Sequence, residues 1–209
     1  MTKEENALSL SFIVPAYDEE KGIEKLLQDL TTTLSQVDIS TEIIVVNDGS
    51  TDSTRLLLES QSNPAFRGIN HPINIGYGAS VKTGIKAARY SWIGIIDGDG
   101  SYDCASIPML VSFAIQGFDM VIAARENISE LDSPIKHFFR CSLRNFLSIL
   151  VDRDILDANS GLRIFRKSAV EEFIPYLCNT FSFTTSLTVF FAESGRFLKY
   201  VPTNYRQRR

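Results

Sequence analysis

Asp97 and Asp99 stand two residues apart, each followed by glycine, directly after the apolar run Trp92–Ile96. Two oxygen-bearing side chains so close repel each other unless a cation lies between them. Mg²⁺ or Mn²⁺ bridging substrate phosphates is the usual solution. The plain alternative is a turn, which Asp and Gly both favour. Two earlier apolar runs end in the same way. Leu8–Val14 runs into Pro15-Ala16-Tyr17-Asp18-Glu19-Glu20, and Glu42–Val46 into Asn47-Asp48-Gly49-Ser50. One acidic loop is unremarkable, because carboxylates suit helix N-termini. If all three lie at one edge of a parallel sheet, their repulsion calls for a compensating ligand.

The elements that must hold these residues follow from the pattern. Trp92–Ile96 has the length and β-branched content of a strand buried on both faces. Its carboxyl end is where open α/β sheets bind ligands. Leu8–Val14 and Glu42–Val46 read as two further strands, Arg67–His71 as a weak one and Met120–Ala124 as another. Between them the sequence predicts helices over Gly22–Val37, from a Ser50 or Thr51 cap to Ser60, after the glycine-bearing Asn74–Gly78, and near Ser106–Gln116. Strand and helix alternate, which is the signature of a parallel sheet with helices on both faces. Ser133–Val151 reads as one amphipathic helix. Lys136, Arg140 and Arg144 form a basic stripe on it, and Phe139, Leu143, Phe146, Leu147 and Leu150 an apolar face. The uncharged Phe173–Ala192 has the length of a membrane span. Its modest hydropathy and the spacing of Phe183, Leu187, Phe190 and Phe191 suit a buried helix instead. Phe197–Val201 is the expected last strand.

Composition narrows the classes. The chain has 209 residues, 44% hydrophobic and 22% charged, which describes one globular domain and no disordered tract. A net charge of -4 argues against general nucleic-acid binding. The polar Met1–Asn6 does not read as a signal peptide, and Cys104, Cys141 and Cys178 form no CxxC pair. Both observations point to reduced thiols in a cytoplasmic protein.

FIVPAYDEE, IIVVNDGSTDST, NIGYGASVKTGIKAA and IGIIDGDGSYD, in this order, resemble the family 2 inverting glycosyltransferases of the GT-A fold. AAR at Ala123–Arg125 and DANSGLRIF resemble the polyprenyl-phosphate sugar transferases, the dolichyl-phosphate mannose synthase branch. The likeness covers about Leu10 to Tyr205. It implies a three-layer, Rossmann-like α/β fold with a mostly parallel sheet in one domain over 1–209. Residues 1–8 would be a flexible terminus, 9–124 a nucleotide-sugar half and 125–209 an acceptor half. Relatives of this branch often continue after a YRxR-like strand into basic sequence or membrane helices.

The resemblance also implies roles. Pro15, Ala16, Tyr17 and Glu19 line a base and ribose pocket, and Asp48 hydrogen-bonds the nucleobase. Asp97 and Asp99, with Gly98 between them, form the metal and nucleotide motif, Asp99 being the direct ligand of Mg²⁺ or Mn²⁺. Lys82 either adds charge near the diphosphate or is a solvated helix lysine. Arg125, Arg140 and Arg144 hold an acceptor phosphate, with a solvated face the plain alternative for the last two. Asp157 orients acceptor or sugar and serves as backup base. Two departures matter. Ser101 stands where many relatives have Gln, and Phe183-Thr184-Thr185 stands where other branches carry a Glu-Asp base. A sugar hydroxyl needs a base to remove its proton, whereas a lipid phosphate is already anionic. The expected activity is therefore transfer from a UDP- or GDP-sugar to a polyprenyl phosphate at the inner membrane face. A saccharide or other soluble acceptor, and a non-catalytic nucleotide-sugar-binding module, are the alternatives.

Overall fold

The computed structural model describes residues 8–61, 66–127 and 133–206; most of the expected flexible terminus lies outside these, while Leu8 is buried. Seven strands form one sheet in the order β3-β2-β1-β4-β6-β5-β7. They are β1 (Ser9–Ala16), β2 (Ser40–Asn47), β3 (Phe66–Asn70), β4 (Trp92–Ile95), β5 (Met120–Arg125), β6 (Arg163–Arg166) and β7 (Leu198–Thr203). The helices are α1 (Ile23–Leu34), α2 (Thr54–Glu59), α3 (Tyr77–Ala87), α4 (Ile107–Ile115), α5 (Pro134–Leu150), α6 (Lys167–Glu171) and α7 (Phe183–Glu193). Ladders β1–β2, β1–β4, β2–β3 and β5–β7 are parallel. Every residue of β4 is buried, as a strand covered on both faces should be. One core layer packs Phe12, Leu30 and Leu110 on one face, and the other packs Ile13, Ile85, Leu187 and Phe191 on the opposite face.

Strand order reverses between β1 and β4, which makes their carboxyl ends a topological switch point. The register aligns the ends: Ala16 pairs with Asn47, and Ile13 with Ile95. The acidic loops therefore do converge on one edge.

Several expectations need correction. The second half of DANSGLRIF is β6, which runs antiparallel to both β4 and β5. Its four residues, Arg-Ile-Phe-Arg, give neither an apolar run nor an alternation, because Arg163 is itself fully buried. Neither Ser50 nor Thr51 caps α2; its N-cap position is Ser53, which makes no side-chain cap bond, and the preceding Asp52 accepts from Thr54 N at 2.9 Å. The uncharged stretch breaks at Pro175, so only Phe183–Glu193 is α-helix. Among the described residues no helix is long and apolar enough to cross a membrane. Helix α5 has the expected span, but of its apolar residues only Leu147 is buried. Phe138, Phe139, Phe146, Ile149 and Leu150 are all more than half exposed.

Candidate active site

The loops after β1 and β2 are stitched to one another by complementary groups. Asp18 N donates to Ser50 Oγ at 3.1 Å and Glu19 N to Thr54 Oγ1 at 2.8 Å. In return Thr51 N donates to Asp18 Oδ1 at 2.7 Å and Ser53 N to Glu20 Oε2 at 3.1 Å. Asp18 adopts a left-handed φ of 52°, which Asp tolerates better than most residues. Part of the acidity of Pro15–Glu20 thus serves the loop pair itself. Pro15, Ala16, Tyr17 and Glu19 do line a cleft of about 500 Å³, together with Asp48, Asp97, Gly98 and Asp99.

Asp97 and Asp99 sit at the floor of that cleft. Tyr77 donates its hydroxyl to Asp97 Oδ1 at 3.0 Å, and Ser101 N donates to Asp99 Oδ1 at 2.9 Å. The Asp97 carboxylate rests against Gly161 so closely that any side chain there would overlap it. Burial, and next the Asp99 charge, push the Asp97 carboxyl up to about 6 against the opposing Tyr77 bond. Two neighbouring carboxylates whose repulsion the Tyr77 bond and the Arg125 and Arg163 charges only partly offset are a donor set that a divalent cation compensates. Among the described residues no third His, Cys, Asp or Glu joins them. The pair fits a Mg²⁺ or Mn²⁺ that takes its other oxygens from substrate phosphate and water.

Asp48 is a hub. His71 Nδ1 lies 2.7 Å from its Oδ1, Ile75 N donates to the same oxygen at 3.1 Å, and Gly76 N to Oδ2 at 2.8 Å. Burial raises its pKa, but these bonds outweigh burial and hold the carboxyl below its usual range. Asp48 therefore pins the Asn74–Gly76 wall of the cleft as well as lining it. His71 also reaches Thr83 Oγ1 at 3.0 Å, and nothing in the sequence pattern marked it.

Lys82 does not face Asp97 or Asp99. Its Nζ donates to Leu177 O at 2.5 Å and to Asn179 Oδ1 at 2.8 Å. It clips the 177–181 segment onto α3. Gly78 is required by the same contact, since a side chain there would strike the backbone of Cys178 and Asn179. Gly76 and Gly78 thus both give room to the 178–179 backbone.

A second cavity, of about 230 Å³, lies between α5 and the loop before β6. Arg125, Arg140, Arg144, His137, Asp157 and Asn159 are among its lining residues. Arg125 and Asp157 form a bidentate pair, Nε to Oδ2 at 2.7 Å and Nη2 to Oδ1 at 2.8 Å. Burial disfavours the Arg125 charge, but the bond to Asp157 outweighs it and raises its pKa. Asp157 thus anchors Arg125 with both oxygens, which suits orienting a cation and not removing a proton. Arg163 lies beneath this loop. Its guanidinium donates to Ala158 O at 3.1 Å, Thr184 O at 3.1 Å and Thr188 Oγ1 at 2.9 Å. Asn159, between the carbonyls of Ala158 and Ser160 that Arg163 binds, accepts from the Thr185 hydroxyl. Tyr102 closes the junction by accepting from Gly161 N at 2.7 Å. Arg163, Asn159, Tyr77 and Tyr102 join the site through contacts between distant segments, which local spacing does not show.

The family model for glycosyl transferase family 2 matches residues 11–174, and the chain belongs to that family. It is 29% identical over 210 residues to the undecaprenyl-phosphate 4-deoxy-4-formamido-L-arabinose transferase of Yersinia pestis, covering 92% of this chain and 62% of that protein. The protein of the same name from Pectobacterium carotovorum is 29% identical over 186 residues, with 83% and 56% covered. The chain thus spans about three fifths of the length of these relatives. The fold matches glucosyl-3-phosphoglycerate synthase of Mycobacterium tuberculosis, solved with Mn²⁺, uridine diphosphate and glucosyl-3-phosphoglycerate. The TM-score is 0.72 at 20% identity, covering 97% of this chain and 72% of that one. The same enzyme has been solved with Mg²⁺ and uridine diphosphate. The architecture is the GT-A fold.

Proposed function

We propose that the chain transfers a sugar from a nucleoside-diphosphate sugar to a polyprenyl phosphate at a membrane surface, with inversion and dependence on a divalent metal. The observation that carries this reading is the pair of cavities joined by the loop from Asp157 to Gly161, which lines one and abuts Asp97 of the other. One is walled by carboxylates and holds the Asp97–Asp99 pair; the other is lined by Arg125, Arg140 and Arg144 beside an exposed apolar helix. An anionic acceptor explains the arginines, since guanidinium matches phosphate geometry. It also explains why Thr184 and Thr185 stand where a catalytic base would be expected. A phosphate oxygen already carries the electron pair that attacks the anomeric carbon. The bond from that carbon to the nucleoside diphosphate breaks in the same displacement, which inverts the centre.

In this reading Pro15–Tyr17 and Glu19 take the nucleoside, and Asp48 shapes and completes that wall. Asp97 and Asp99 would hold the metal, which when bound supplies positive charge to the departing diphosphate. Asp157 orients Arg125 toward the acceptor phosphate. Phe138, Phe139 and Ile149 on α5 meet lipid, with Lys136, Arg140 and Arg144 drawn to anionic headgroups. The relatives named for undecaprenyl phosphate support the acceptor class, and the solved uridine diphosphate complexes support the donor class. The test is incubation with labelled UDP- or GDP-sugars and undecaprenyl phosphate in phosphatidylglycerol vesicles, with and without Mn²⁺. We expect labelled lipid that disappears on chelation. Label appearing only on a soluble saccharide would establish the alternative acceptor.

A further inference from the structure

Phe181 is 80% exposed, yet its position is heavily specified. Its ring stacks on Tyr77, with centroids 5.6 Å apart and planes at 23°. Tyr77 is in turn fixed by its hydroxyl on Asp97. The backbone leading to Phe181 is clipped down by Lys82 and by Ala79 N, which donates to Asn179 O at 3.1 Å. An aromatic ring held this way, with one face on a partner and the other open to a cavity, is a surface prepared for another ring or apolar face. Phe181 and Tyr77 both line the cleft that contains Asp97 and Asp99.

The segment carrying Phe181 also spans the two cavities. Thr184 Oγ1 donates to Phe181 O at 3.4 Å, and three residues further along the chain from that carbonyl the segment binds Asn159 at the lip of the arginine-lined cavity. Phe181 therefore lines the cleft of Asp97 and Asp99 and is linked through Thr184 to Asn159 of the arginine-lined cavity. In a nucleotide-sugar donor the group between diphosphate and acceptor is the transferred sugar. Resting on the function proposed above, we propose that Phe181, backed by Tyr77, is the platform for the apolar face of that sugar and helps select it. A pyranose presents C–H groups on one face, and these pack on an aromatic ring without competing for hydrogen bonds. A nucleobase would also stack on such a ring, so the test separates the two.

The experiment measures binding of UDP, UDP-glucose, GDP and GDP-mannose to wild type, Phe181→Ala and Phe181→Leu in the presence of Mn²⁺. Because Phe181 is exposed, both variants should melt with the wild type. The platform predicts unchanged affinity for the diphosphate alone. It predicts affinity for the matching sugar nucleotide roughly three- to tenfold weaker in Phe181→Ala, the scale of one aromatic contact, with Phe181→Leu intermediate. Equal losses for diphosphate and sugar nucleotide would overturn it and assign Phe181 to the base. No loss for either would overturn it as well. Wild-type protein that binds none of the four would refute the proposed function itself, and that result is visible before any variant is made.

Discussion

Asp157→Asn separates two jobs that one carboxylate could do. In the structure it anchors Arg125, with the side chains 9% and 11% exposed for Arg125 and Asp157. Removing the charge leaves a largely buried guanidinium without its carboxylate, with the Tyr205 ring at 5.2 Å still beside it. Breaking a buried pair from one end costs about 3–5 kcal/mol. The neighbouring cavity places this case at the low end, about 3 kcal/mol. For a domain of this size each kcal/mol moves the melting temperature by about 2–4 °C, so the variant should melt roughly 6–12 °C below wild type. Inorganic phosphate should recover part of that loss, because it can take the place of the missing carboxylate. Stabilisation by binding reaches about 2.7 kcal/mol at a hundredfold excess over Kd, and it should be larger in the variant than in wild type.

Thermal unfolding across a phosphate series measures this directly. The transfer assay then completes the comparison. An anchor of Arg125 predicts a raised KM for polyprenyl phosphate, whereas a general base predicts a turnover lower by about 10²–10⁴ at saturation. A variant that melts with wild type, ignores phosphate and loses turnover would refute the anchoring argument and restore Asp157 as a base.

Three other perturbations follow from the geometry. Asp99→Asn should abolish Mn²⁺-dependent transfer with little change in melting, since the residue lies in the turn after β4 and the change leaves no core cavity. Asp97→Asn should also lose transfer, yet melt higher than wild type above pH 6 when metal is absent. The Asp97 carboxyl is raised from 3.8 to about 6, so its contribution to stability is full below the lower value and is lost as pH rises through the upper one. At 1.36 kcal/mol per unit the loss is at most about 3 kcal/mol, and the pH slope between 4 and 7 should vanish in the variant. Arg140→Ala with Arg144→Ala should weaken binding to phosphatidylglycerol vesicles by about 2 kcal/mol, near thirtyfold, in a sedimentation assay at low salt. Nucleotide affinity should stay unchanged.

What could be read in the sequence depended on whether a signal was local. The strands β1, β2 and β4 announced themselves because burial on both faces requires continuous apolar runs. Their acidic ends could be placed on one edge from the alternation of strand and helix alone. Strand β6 could not, because it carries an arginine into the core and is paired only by segments far away in sequence. Lys82 reads from the sequence either as a charge near the diphosphate or as a solvated helix lysine, and neither reading supplies its partners. Its partners, Leu177 and Asn179, lie 95 and 97 residues away. The apolar face of α5 is visible as a pattern, but a pattern does not say what covers it.

The two cavities are joined through one loop. The loop from Asp157 to Arg163 touches both: Asp157 holds Arg125 on one side, and Gly161 supports the Asp97 carboxylate on the other. Arg163 fixes this loop from below through backbone carbonyls. Its charge also acts on Asp97 from inside the protein, opposing the push from burial. The loop from Asp157 to Gly161 therefore ties the contact with Arg125 to the contact with Asp97 within five consecutive residues.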